Sequence, residues 1–142
     1  GSLIGPDAEK AGTILHGTEA VLATTESTVP WTTVMIRKSF GVAAAAHYGP
    51  DGYVLAWPSA ESGPLPLEGG VAVAFKKEIS DAEDPEAKRK ELEEKMAKNQ
   101  NPFPRAEAFS VHEIIDPRET RKYISLWAER IQSQLKASLM SR

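Results

Sequence analysis

The stretch from Thr33 to Gly70, TVMIRKSFGVAAAAHYGPDGYVLAWPSAESGPLPLEGG, limits the fold more than any other part of the chain. Its β-branched apolar opening, Val34-Met35-Ile36, predicts a buried strand. Ser39-Phe40-Gly41 reads as the break in that run, and Val42-Ala43-Ala44-Ala45-Ala46 as the start of a short helix. A Gly-Pro-Asp-Gly turn at Gly49 to Gly52 leads into a second strand, Gly52 to Trp57, which Pro58-Ser59-Ala60-Glu61 closes. A strand that turns through glycine into a helix aims free backbone N–H groups at one point. With the positive end of the helix dipole behind them, those groups suit a negatively charged oxygen. Small side chains at Ala43 and Ala44 let a flat ligand approach the backbone, so the expected feature is an oxyanion hole.

Four runs carry a family resemblance. Arg37-Lys38-Ser39-Phe40-Gly41-Val42-Ala43, Ala56-Trp57-Pro58-Ser59-Ala60-Glu61, Glu68-Gly69-Gly70 and Ile115-Asp116-Pro117-Arg118-Glu119-Thr120-Arg121 stand in order along the chain. Together they resemble the carboxyltransferase component of biotin-dependent acyl-CoA carboxylases, and the IDPRETR run is the most specific match. The resemblance implies an α/β fold, a crotonase-like ββα superhelix, here the later part of the second of two such domains. Residues 1–2 then read as a tag scar and 3–142 as that domain, truncated on its N-terminal side. Residues 3–79 would form the core with the biotin-side hole, and 80–142 a helical C-terminal region.

Length and composition agree with that reading. At 142 residues and 15.4 kDa the chain is one domain at most, short for a whole crotonase-like domain and far short of a carboxyltransferase subunit. A 41% hydrophobic content permits a packed core. The net charge of −3, with acids and bases interspersed, argues against nucleic acid, whose binding needs a basic face. No apolar run approaches the ~20 residues of a membrane span, and no signal peptide is visible. The lack of cysteine excludes disulfides, thiolate metal sites and a cysteine nucleophile, and fits a reducing cytoplasm.

Outside the central stretch, Pro6 to Thr25 predicts one helix, with Asp7 as cap and an apolar stripe of Ala11, Ile14, Leu15, Val21 and Leu22. His16 reads as a surface or interface histidine. Ser62 to Leu67 reads as an extended segment whose two prolines disfavour a central strand. Glu68-Gly69-Gly70 introduces an apolar segment, Val71 to Ile79, helical in the resembling family though compatible with a strand. Asp84 as N-cap and Pro85 at the first helical position start a charged helix to about Asn99. That helix reads as a solvated one laced with i,i+4 charge pairs, or as a docking helix for a carrier protein. Asn101-Pro102-Phe103-Pro104 reads as a rigid break before a short helix, Arg105 to Val111, anchored by Phe103 and Phe109. Asp116, Pro117 and Glu119 form a capping box for a last helix with Ile124, Trp127, Ile131 and Leu135 on one face, fraying from Lys136.

The resemblance implies transfer of a carboxyl group from carboxybiotin, held on a carrier protein, to the α-carbon of an acyl-CoA of the acetyl or propionyl class. In that chemistry the cofactor supplies the base, and the protein supplies N–H donors and orientation. Carried over residue by residue, the catalytic biotin-side donors fall on the amides of Val42 and Ala43, and the biotin-binding set is Gly41, Val42, Ala43 and Ala44. Many members carry Gly-Gly-Ala-Tyr-Asp where this chain has Gly41-Val42-Ala43-Ala44-Ala45, so Ala45 stands at an acidic position linked in the family to acyl-chain choice. The family's thioester hole lies in its first domain, so the chain is expected to be inactive alone. The implied partners are acyl-CoA, the biotin carrier and biotin carboxylase components, the missing N-terminal carboxyltransferase domain and further copies in a homo-oligomer. No metal is expected.

His47, Tyr48 and Glu61 are the local acid/base candidates, with a plain reading beside two of them: a helix C-cap for His47, a solvated turn carboxylate for Glu61. Arg118 and Arg121 would pair with carboxylates or clamp a partner domain. Ser59 lacks a Gly-x-Ser-x-Gly context, and the three histidines lack metal-ligand spacing. Two alternatives stay open. One is the α subunit of a biotin-dependent decarboxylase. The other is a non-catalytic assembly module in which Phe75, Phe103 and Trp127 bury against a companion chain. A biotin-sized cleft beside the Val42 and Ala43 amides would favour the enzyme, a filled one the module.

Overall fold

A computed structural model describes residues 2–3, 5–49 and 52–140, with the side chains of 68 and 138–140 left aside. The chain is α/β. Its elements are α1 (Pro6–Lys10), α2 (Thr13–Thr25), β1 (Thr32–Met35), β2 (Lys38–Phe40), α3 (Gly41–Ala45), β3 (Tyr53–Ala56) and β4 (Glu61–Gly63). They continue with α4 (Leu67–Ala74), α5 (Lys76–Ser80), α6 (Pro85–Gln100), α7 (Pro102–Glu107), β5 (Glu113–Ile114), a 3-10 turn (Pro117–Glu119) and α8 (Thr120–Met140).

β3 is central in a parallel sheet ordered β1-β3-β5, with Val34 opposite Leu55 and Leu55 opposite Glu113. A parallel strand covered on both faces carries a continuous apolar run. Val54, Leu55 and Ala56 are all buried, Leu55 and Ala56 completely. Val54 and Ala56 join Met35, Ala60 and Val111 in the core. The opposite face of β3 meets α8, where the Trp57 indole N–H donates to Thr120 Oγ1 at 2.9 Å. Tyr53, on that same face, donates its hydroxyl to Glu113. Burial and that carboxylate push the Tyr53 phenol up to about 12, so it stays a neutral donor.

Ser39 and Phe40, read as a break, instead belong to β2, which pairs in parallel with β4 in a second small sheet. The Ser62–Leu67 segment is thus strand at its start: Ser62 faces Ser39, and Gly63 faces Phe40. Pairing between three-residue strands is decided by tertiary contacts, which composition does not display. Ile36, read as strand interior, is exposed in the link between β1 and β2.

The single helix expected over Pro6–Thr25 is two. Gly12 adopts φ +77° between them, a left-handed conformation open to glycine. Asp7 does not cap; Gly5 precedes the helix and Pro6 takes its first position. The expected stripe is not core, since Ile14, Leu15 and Leu22 are exposed. His16 is on the surface, with Nδ1 3.2 Å from Glu19. The Val71–Ile79 segment is helical, but it begins at Leu67 and breaks at Phe75.

The Asp84 carboxylate accepts from the amides of Glu86 and Ala87 at 3.1 and 3.0 Å, with Pro85 at the first helical position of α6. Leu92 is buried and the rest of α6 carries charge pairs such as Arg89 with Glu93. Asn101-Pro102 is not a break but a start: the Asn101 side chain caps α7 through the Phe103 amide. Asp116 caps the last helix through the Arg118 amide at 2.8 Å. The reciprocal Glu119 bond is absent, because that side chain reaches forward to Lys122 at 2.9 Å. Arg118 clamps Asp116, which holds that carboxyl below its usual range. α8 stays helical to Met140, past the expected fraying at Lys136, while Ser141 and Arg142 lie outside the described residues.

Phe103 and Phe109 are not anchors; they are 56% and 91% exposed. Phe109 also sits at φ +57°, closing α7 in the manner usually given to glycine. Its amide donates to Ala106 and that of Ser110 to Arg105, at 3.0 and 2.8 Å. A left-handed conformation costs an L-residue about 1–2 kcal/mol, and glycine returns about 0.5–1 kcal/mol of that through unfolded-state freedom. With no packing to lose, Phe109→Gly is expected to stabilise the chain by about 0.5–1 kcal/mol in urea denaturation. An unchanged or lower midpoint would contradict this.

Candidate functional site

The pairing of β2 with β4 brings two distant segments together. β2 runs directly into α3 with Phe40 extended at the N-cap and no side chain capping the helix. Gly41, the first residue of α3, takes φ +69°, the sharp turn that the glycine was expected to make. The first-turn amides of a helix have no acceptor within it. Across the strand pair, Gly63 and Pro64 face this turn; a Cβ on Gly41 would lie 3.5 Å from the Pro64 carbonyl oxygen. The following loop is tied down by Gln100, itself buried, whose Nε2 donates to Leu65 O at 2.9 Å.

Between these segments lies a cleft of about 370 Å³, lined by Ser39, Gly41, Val42, Ala44, Ala45, Tyr48, Gly63, Pro64 and Arg105. Its walls are mostly small, and no lining residue is a carboxylate. Of the four residues predicted to face the ligand, Gly41, Val42 and Ala44 line the cleft. Ala43 lies on the same turn of α3 without lining it. Val42 is 74% exposed. Tyr48 packs at the back, its hydroxyl 3.1 Å from Ser39 Oγ and 3.4 Å from Met35 Sδ.

His47 and Glu61 do not line the cleft. His47 is exposed, and its carbonyl accepts from Thr33 Oγ1 at 2.6 Å. Glu61 opens β4 and lines a separate hollow with Leu67, Gln100 and Asn101. The Gly49–Gly52 turn includes Pro50 and Asp51, which lie outside the described residues. Sequence reasoning missed Gly63, Pro64 and Arg105, which reach the cleft only through strand pairing and the fold of α7. Among the described residues no group of three or more His, Asp or Glu side chains is placed to hold a metal ion, and no helix is long and apolar enough to cross a membrane.

A strand turning through glycine into a short helix beside a small-walled cleft agrees with the expected crotonase-like domain. The carboxyl transferase domain family matches residues 1–140, and the chain belongs to that family. It is 36% identical over 142 aligned positions to the carboxyltransferase subunit of propionyl-CoA carboxylase from Haloferax mediterranei, covering 96% of this chain and 27% of that one. The 12S subunit of methylmalonyl-CoA carboxyltransferase from Propionibacterium freudenreichii subsp. shermanii is 40% identical, over 88% of this chain and 25% of that protein. The α subunit of methylmalonyl-CoA decarboxylase from Propionigenium modestum is 38% identical, over 87% and 25%. The solved structure of transcarboxylase 12S, a hexamer with methylmalonyl-coenzyme A and methylmalonic acid bound, superposes with a TM-score of 0.79 at 38% identity, covering 92% of this chain and 26% of that one. The chain thus spans about a quarter of the length of these relatives.

Proposed function

We propose that the chain carries the biotin-facing half of a carboxyltransferase site, acting in transfer of a carboxyl group between carboxybiotin and an acyl-CoA. The observation that carries this reading is the open cleft on the uncapped N-terminus of α3 in a member of the carboxyl transferase domain family. A filled cleft would have favoured a packing module. The residues fit the group: glycine at 41 and 63 and alanine at 44 leave room for a planar ureido ring, and the cleft volume is that of a small-molecule site.

When bound, carboxybiotin supplies the carboxyl group and a ring nitrogen able to act as base. The chain's own contribution is to orient and to stabilise charge. The Val42 and Ala43 amides, on the first turn of α3, would hold the ring carbonyl oxygen of the bound group and stabilise negative charge there. Tyr48, held by Met35 and Ser39, contributes one wall of the cleft. The acyl-CoA half of the site, the carrier protein and further copies of the chain are partners this reading requires. The propionyl class follows the substrates for which the relatives are named, propionyl-CoA and methylmalonyl-CoA. Likeness to the decarboxylase α subunit supports a second direction for the same half-reaction, with the same residues.

Biocytin titrated into the ¹⁵N-labelled chain is expected to give saturable amide shifts confined to Gly41–Ala45, Tyr48 and Gly63. The same sample is expected to move no carboxyl group from malonyl-CoA to biocytin. A dispersed spectrum without shifts would sink the binding claim, and measurable turnover the half-site claim.

A further inference from the structure

Arg105 enters the cleft from α7, and the transfer as derived so far leaves it without a task. Its Nε is sealed from solvent and has no hydrogen-bond partner. It joins none of the ion pairs found among the described residues. No carboxylate lines the cleft to neutralise it. Its backbone is fixed, since its carbonyl accepts the Ser110 amide at 2.8 Å where α7 ends. A guanidinium cannot shed its charge, and a single buried N–H donor without an acceptor is uncommon because it forgoes a bond to water. What satisfies such a group is a planar anion with two oxygens, which takes two parallel N–H bonds from the fork.

We propose that Arg105 binds the carboxylate at either end of the transfer, on the N-carboxylated ring or on the carboxylated acyl thioester; the C–N or C–C bond then breaks to release neutral CO2, the electron pair staying on the ring nitrogen or the acyl carbon. This rests on the carboxyl-transfer reading of the cleft and adds to it a residue that determines where the donor's or the product's carboxylate sits. The same carboxylate has two sources, the N-carboxylated biotin ring and a carboxylated acyl thioester. Acetate added with saturating biotin methyl ester mimics the first, and malonyl-pantetheine the second.

The test is a titration of the 142-residue chain with each probe, reading the Arg105 Nε–H resonance and the cleft amides. A saturable shift of Nε–H is expected with at least one carboxylate probe, and the tighter of the two identifies the source. Arg105→Gln is expected to weaken that probe about tenfold to a hundredfold, the range of a charge-assisted pair. Arg105→Lys, which keeps charge but loses the fork, should fall between. Affinity for biotin methyl ester alone, which is neutral, should change less than about twofold in either variant, a level well below that of a lost charged pair. An Nε–H resonance unmoved by both carboxylates, or equal carboxylate affinity in wild type and Arg105→Gln, would overturn the proposal. Biotin methyl ester failing to bind wild type, with the carboxylate effect intact, would overturn the biotin reading and leave the Arg105 site standing.

Discussion

Val42→Pro is expected to lower carboxyl transfer by about 10²- to 10³-fold in the assembled carboxyltransferase, the usual loss when one donor to a developing oxyanion is removed. Proline deletes the amide and little else here. Val42 is the second residue of α3, within the first turn where proline is tolerated. The preceding Gly41 has no Cβ, which removes that part of the clash with a following proline. The valine side chain is exposed and contributes little packing to lose. Val42→Gly is the matched control: it keeps the amide and should retain the rate within a few-fold, the change being a surface one. Equal losses in the two variants would assign the effect to the side chain or to the fold of α3, and would remove Val42 from the role proposed.

Leu55→Ala is expected to destabilise the chain by about 2–5 kcal/mol. Leu55 is fully buried at the middle of the central strand, flanked by β1 on one side and β5 on the other. By strand alternation it shares a face with Tyr53 and Trp57, the face that α8 closes through Thr120. Truncation there leaves a cavity between sheet and helix that the paired backbones on both sides resist collapsing. Against the total stability of about 5–15 kcal/mol usual for a domain, that loss should lower the urea midpoint markedly. Leu55→Met, which nearly conserves volume, should cost under about 1.5 kcal/mol. A cost below about 1 kcal/mol for the alanine variant, outside the range for buried leucines, would show that the α8 face is not a packed core.

What the sequence made legible follows the range over which each signal acts. Asp84-Pro85 and Asp116-Pro117 announce helix starts because capping is settled within four residues. Gly41 followed by four small residues announces the turn into α3 for the same reason. β2 and β4 gave no such signal. Lys38-Ser39-Phe40 and Glu61-Ser62-Gly63 are short and largely polar, and only their partnership makes them strands. Since that partnership is what seats Gly63 and Pro64 opposite Gly41, half the cleft was invisible along with it. Arg105 was hidden more deeply, because a cation in a Pro-rich segment reads as surface until α7 folds it inward. Phe103 and Phe109 misled in the other direction: aromatic residues suggest core, yet Phe109 serves as the left-handed end of α7. The split of Pro6–Thr25 at Gly12 shows how one glycine with a positive φ interrupts an otherwise continuous helical pattern.

The most direct measurement is a crystal structure of the chain with biocytin. The account predicts the bicyclic ring in the cleft between α3 and Pro64, with its carbonyl oxygen about 2.7–3.1 Å from the Val42 amide nitrogen. A ring seated instead in the hollow lined by Trp31, Trp127 and Ile131 would contradict it, as would a Val42 amide bonded to a protein acceptor.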